Sequence, residues 1–186
     1  MTSLKQAVRR FRLRETGSVV AEAVLILPAM IWFYIALFVY WDCYRTVNTL
    51  QKSAYTVSDI ISRQQVDISD QFMNGMQKTM DFLVDRRETV KIRVTSLRYL
   101  DTDAKYEVIW SRSPGSKMPR LTTADLVLIK DHLPNMSDGD SAVLLEAEVP
   151  YAPPLQFGME PRTIEQFVVT RSRFLPKICY VGVACG

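Results

Sequence analysis

The sequence predicts an α+β fold: an N-terminal transmembrane helix that extends into a long amphipathic helix, packed on a small antiparallel sheet of about four strands with one or two further helices. Three observations predict it. Between Val19 and Trp41 lie 23 residues with a single charged side chain, Glu22. From Tyr44 to Ile61 the apolar residues recur every three or four positions, the spacing of one helix face. From Val90 the period changes to two, the spacing of a strand.

At about 1.5 Å per residue the apolar run covers roughly 34 Å, enough to cross a hydrocarbon core of about 30 Å. Lys5, Arg9, Arg10, Arg12 and Arg14 precede it, and a short basic flank stays on the cytoplasmic side. The expected division is therefore a basic cytoplasmic leader over 1–17, a transmembrane helix over 18–41, and an extracytoplasmic domain with a helical stalk over 42–186. Tyr40 and Trp41 stand where interfacial anchors belong. A cleavable secretory signal would have a shorter apolar region ending in small residues, and no Ala-x-Ala follows this one. The formal charge of +3 is concentrated in the leader: the 169 residues after Gly17 carry 18 basic and 19 acidic side chains. That balance argues against a nucleic-acid surface on the folded part.

Beyond the span, Tyr44, Val47, Leu50, Ala54, Val57 and Ile61 carry the helix outward to about Arg63, with two helices broken at Asp42 as the alternative. Asp67, Ser69 and Asp70 supply capping chemistry for a second helix over Ser69–Val84, with Phe72, Met76, Met80 and Leu83 as its apolar stripe. Val90, Ile92 and Val94 then share one strand face. Leu97 and Tyr99 fall on the opposite parity, which predicts a bulge or strong twist near Ser96. Asp101–Asp103 reads as a turn into a second strand with Tyr106, Val108 and Trp110, and Ser113–Ser116 as a loop. Thr122–Asp125 reads as the start of a short helix through Lys130. Asp138–Asp140 turns the chain into a strand with Val143, Leu145, Ala147 and Val149 on one face and Glu146 and Glu148 on the other. After a Pro-rich loop, Tyr151–Pro161, a last strand over Ile164–Phe174 pairs with it.

Counted from the bond after Gly17, Ser18 is the first residue and Glu22 the fifth, behind a basic leader and ahead of an apolar helix. This arrangement resembles a type IV prepilin-like signal, in which an inner-membrane aspartic peptidase cuts after the glycine. The stretch ETGSVVAEAVLILPAMIWFY, Glu15–Tyr34, is similar to the N-terminal signature of the TadE-like family of the tight-adherence (Flp) pilus machinery. TIEQFVVTRSRFLPK, Thr163–Lys177, is similar to the late strand of many of its members. The resemblance implies a pilin-like fold, Gly17 and Ser18 as the processing site, and Glu22 as the residue of peptidase recognition and assembly. It implies a single-pass protein of the bacterial inner membrane, with its N-terminus cytoplasmic and its C-terminal domain periplasmic, that can be incorporated into a pilus. Its implied partners are other pilin-like subunits, the inner-membrane Tad machinery, a prepilin peptidase and membrane lipid, without nucleic acid. Ala23 follows Glu22 where the major Flp pilin has Tyr, and the mature chain is long, so a minor pseudopilin fits better than a fibre subunit. The alternative is a signal-anchored periplasmic binding or sensory domain that never enters a filament.

No catalytic role, metal or cofactor is expected. His132 is the one histidine, at a helix end ahead of Pro134, where it stabilises the terminus or meets solvent. Met73, Met76 and Met80 read as core filler. Asp101, Asp103, Asp138 and Asp140 would bind calcium only if separate loops converged. Among Cys43, Cys179 and Cys185, the last two are the candidates for a disulfide in an oxidising compartment, against three reduced thiols.

Overall fold

The computed structural model describes residues 16–84, 89–103, 105–155 and 158–185. The basic leader at Lys5 to Arg14 lies outside the described residues. The chain divides into two compact units, Met1–Cys43 with Pro153–Glu160, and Tyr44–Ala152 with Pro161–Gly186.

Helix α1 (Thr16–Ser62) is continuous over 47 residues and passes Asp42 without a break. No Gly or Pro lies between Ala29 and Ser62, so nothing in the backbone interrupts the hydrogen-bond ladder. The Ser53 and Thr56 hydroxyls donate back to the carbonyls of Thr49 and Lys52 at 2.8 and 2.9 Å, which satisfies them inside the helix. Its last carbonyls are taken up by the Gln64 amide group, by the Ser62 hydroxyl and by the Arg173 N–H at 2.9 Å. In the second unit the helix buries Thr46, Leu50, Ala54, Val57 and Ile61; the last four follow the spacing read from the sequence, whereas Tyr44 is exposed and Val47 half-buried because the buried face runs through Thr46 instead.

Helix α2 (Asp70–Val84) starts at Ser69, whose hydroxyl accepts the Phe72 N–H at 3.3 Å. Its buried stripe is Met73, Gln77, Met80 and Val84. The expected stripe therefore turns: Phe72, Met76 and Leu83 are half-buried, and only Met80 is common to both. The cause is Gln77, a polar residue drawn inward because its amide donates to the Val90 carbonyl. Asp81 accepts the Val90 N–H at 2.9 Å, so both backbone groups that precede the sheet are satisfied from α2.

The sheet has the order β2-β1-β3-β4, all antiparallel, formed by β1 (Lys91–Leu100), β2 (Lys105–Arg112), β3 (Ser141–Tyr151) and β4 (Arg162–Thr170). The register shift between Ser96 and Leu97 falls where the sequence placed a bulge, but the extra residue is Ile109 on β2. Against β3 the β1 register runs unbroken from Lys91 to Arg98. The change of apolar parity along β1 has another source: both faces of the sheet are buried. Ile92 and Val94 share a buried face with Val143, Leu145, Ala147, Val149, Ile164 and Val168. Leu97 and Tyr99 lie on the other face, in a cluster with Tyr106, Ala142 and Leu144 under Leu121, Leu126, Leu133 and Met136.

The segment that covers this second face is not the expected short helix through Lys130. It forms two 3-10 turns, Asp125–Val127 and Lys130–His132. Asp125 accepts both the N–H and the hydroxyl of Thr122, at 2.8 and 2.7 Å, which closes a tight turn over Thr122–Asp125. Three-residue spacing lets Leu126 and the half-buried Ile129 both meet the sheet, while Val127 and Leu128 remain exposed. Strand β4 also ends earlier than Phe174. Val143 and Thr170 form its last pair near the start of β3, and Arg171 and Arg173 leave the sheet for Asp140 and Asp59, each at 2.8 Å.

Candidate functional site

From Val19 to Tyr34 every residue of α1 is exposed, on all sides of the helix. The helix contains a stretch of mean hydropathy 2.3, so it is long and apolar enough to cross a membrane. Leu25 is 75% exposed and Tyr34 74%, fractions that a core helix of a water-soluble domain would not show. Glu22 is exposed within this surface, one helical turn after Ser18 and one before Ile26. Pro28 lies inside the helix and has no N–H to donate to the Val24 carbonyl. Phe38 and Trp41 close the run with ring centroids 6.5 Å apart.

Gly17 and Ser18 belong to the first turn of α1, so the bond between them is helical. A protease that reads an extended chain would have to unwind this turn. The four N-terminal N–H groups of a helix have no intrahelical acceptor, and glycine adds backbone freedom, so it is the cheapest turn to open. Far along the chain Cys179 and Cys185 are joined in a disulfide, in which the buried Cys43 takes no part.

The residues weighed for catalysis or metal binding are occupied structurally. His132 is exposed on its 3-10 turn with its ring 5.8 Å from that of Phe167. The loops of Asp101 and Asp138 do converge, but Asp138 accepts the Asp101 N–H at 2.8 Å, while Asp140 accepts the Ser137 N–H and pairs with Arg171. Among the described residues no group of three or more His, Cys, Asp or Glu side chains is arranged to hold a metal ion. Met73 and Met80 are core residues.

A second feature went unread in the sequence. Residues 178–181 dock onto the head: Ile68 N–H donates to the Cys179 carbonyl at 2.9 Å, Val181 N–H to the Ile68 carbonyl at 3.0 Å, and the buried Trp110 indole N–H to the Ile178 carbonyl at 2.8 Å. Tyr180 packs against Trp110 with the rings tilted by 51° and centroids 5.1 Å apart, and donates its hydroxyl to Asp70 at 2.5 Å. Burial, then the bond to Asp70 and its charge, push the Tyr180 phenol up to about 12. Beside it opens a cleft of about 430 Å³, lined by Asp70, Arg112, Arg120 and Tyr180 among others. These residues come from four separate parts of the chain, and the Cys179–Cys185 spacing is the one sequence signal that a tight loop is built there.

Comparison with protein-family models, with curated proteins and with solved structures found no match.

Proposed function

We propose that this chain is a minor pseudopilin of a Tad (Flp) type IV-like pilus system, a structural subunit that assembles through its N-terminal helix with other pilin-like helices. The observation that carries this reading is Glu22, exposed and the one charged side chain in the 23 residues from Val19 to Trp41, five positions from the bond after Gly17. On this reading the leader faces the cytoplasm, α1 crosses the inner membrane, and the domain after Trp41 is periplasmic. The α+β architecture, a long N-terminal helix with a four-stranded antiparallel sheet, supports it.

The physical reason for a carboxylate at this position is partnership. An ionised side chain costs about 3 kcal/mol at the centre of a membrane helix on insertion scales, and less toward the end. Cleavage after Gly17 creates an α-amino group on Ser18 that is positive near neutral pH. Glu22 then reaches that amine one turn away, or the amine of a neighbouring subunit, and rewards one axial register over others. A prepilin peptidase supplies the cut, and no catalytic group of this chain takes part.

The test is the mature N-terminus. The membrane-extracted protein should begin at Ser18 by intact mass and N-terminal sequencing. A chain that retains residues 1–17 in cells with an active prepilin peptidase would instead be the signal-anchored binding domain, a reading that the cleft beside Tyr180 favours.

A further inference from the structure

Several arginines of the head are tied into ion pairs. Arg63, Arg93, Arg98, Arg171 and Arg173 each form an ion pair with an Asp or Glu. Arg112 and Arg120 form none among the described residues, and both line the cleft beside Tyr180. Arg112 is held in place: one of its terminal nitrogens donates to the Ser111 carbonyl at 3.2 Å, and its guanidinium lies 5.2 Å from the centre of the Tyr180 ring. A guanidinium has five N–H groups in a planar fork, so most of its donors remain for something in the cleft. Asp70 is the carboxylate that lines the cleft, and it already accepts the Tyr180 hydroxyl. Two positive groups against one leave a local positive excess on a domain that is otherwise close to neutral.

The walls are built rather than loose. One is the loop closed by the Cys179–Cys185 disulfide, with Gly182 at φ 79° making the turn. The facing wall is the turn Pro114–Ser116, in which Gly115 and Ser116 both have positive φ, 64° and 53°. Ser116 is the one described non-glycine residue in that region, a conformation that costs energy and is retained where the surroundings fix it. Ser113 ties the turn down by donating to the Ile92 carbonyl at 2.7 Å and accepting the Met118 N–H at 3.2 Å.

We propose that this cleft binds a small ligand through an oxyanion, carboxylate or phosphate, gripped by Arg112 and Arg120. The volume suits a dicarboxylate or a small phosphate compound, within the range of about 300–1,000 Å³ for ligand clefts. Arginine forks match either oxyanion at two points. The site stands on the head alone and does not depend on cleavage at Gly17 or on entry into a filament.

The experiment is isothermal titration of the full chain in detergent with inorganic phosphate and, separately, with succinate, at constant ionic strength. Saturable one-site binding of at least one anion is expected, and the tighter of the two assigns the oxyanion. Arg120→Gln should weaken that binding roughly tenfold or more while leaving the thermal melt unchanged, since Arg120 is exposed and makes no ion pair among the described residues. Arg112→Gln should act in the same direction, and should it unfold the tail through loss of the Tyr180 contact, Arg120→Gln alone decides. Non-saturating heats with both anions, or an Arg120→Gln protein that binds as tightly as the parent, would overturn the proposal.

Discussion

Arg93 on β1 and Glu146 on β3 are direct partners across the ladder, joined by two hydrogen bonds of 2.6 Å. A third donor of Arg93 reaches the Pro119 carbonyl at 2.8 Å, which ties the covering segment to the sheet. The two side chains are 12% and 15% exposed. Burial alone would lower the Arg93 pKa, but the bond and charge of Glu146 outweigh it and hold the guanidinium above its ordinary value.

The asymmetry of such a pair is the first prediction. Glu146→Leu leaves a nearly buried guanidinium without its partner and should cost about 3 kcal/mol, because breaking one side of a buried pair exposes the desolvation of the other. Arg93→Met combined with Glu146→Leu should recover most of that loss. Urea unfolding of the three proteins checks it; a double variant no more stable than Glu146→Leu would show that packing, not charge, sets the cost.

Alkaline pH should release the tail. The Tyr180 phenol is raised from 10.0 to about 12, so the folded state favours its neutral form. The stability this contributes is complete below pH 10 and is lost as pH rises toward 12. In a protein with Trp32 and Trp41 replaced by Phe, Trp110 fluorescence should change across that window, and Tyr180→Phe should abolish the change. A transition of equal size in the Phe variant would assign it to another tyrosine.

Asp125 works in the opposite sense. The Thr122 side chain, then the Thr122 N–H, bond its carboxylate and hold its pKa below 3.8. A depressed carboxylate stabilises above its unfolded value and loses that contribution as pH falls through the folded one. Parent and Asp125→Asn proteins should therefore differ in melting temperature near neutral pH and converge below the ordinary carboxylate range. A gap that stays constant with pH would remove ionisation from the explanation.

The assembly role of Glu22 predicts a split phenotype. Glu22→Ala should insert and be cut at Gly17, since the span becomes more apolar and the glycine is untouched, yet it should fail to cross-link to partner subunits and abolish piliation. Glu22→Asp should be partly defective through its shorter reach. Normal piliation and cross-linking in Glu22→Ala would leave the carboxylate as a side chain that merely reaches the headgroups.

Much of this architecture was legible because local pattern and tertiary burial agree. The three-and-four spacing from Leu50 to Ile61 marked the buried face of α1, though Tyr44, read as its first member, is 68% exposed, and the alternation from Val143 to Val149 marked β3 with Glu146 and Glu148 turned away. The pattern misled where polar groups enter the core or where a surface has two covers. Gln77 turned the α2 stripe because a backbone carbonyl, invisible in the sequence, rewards it. Leu97 and Tyr99 looked like a slipped register because nothing local says that residues 121–136 will roof the second face. Of the cleft only the Cys179–Cys185 loop was legible: Asp70, Arg112, Arg120 and Tyr180 become neighbours through the docking of the tail.

That docking also sets an order of events during folding. The Trp110 indole finds its carbonyl 68 residues downstream, and Asp70 finds the Tyr180 hydroxyl 110 residues downstream. Both acceptor and donor wait for late-synthesised chain, and contacts of such separation form slowly because a long loop must close before they repay its entropy. Until then the rim of the head keeps an unsatisfied indole and an open edge at Ile68, which is the kind of surface that chaperones hold and proteases find. The docked segment thus acts as the latch on a domain whose helices and strands all precede it in the chain.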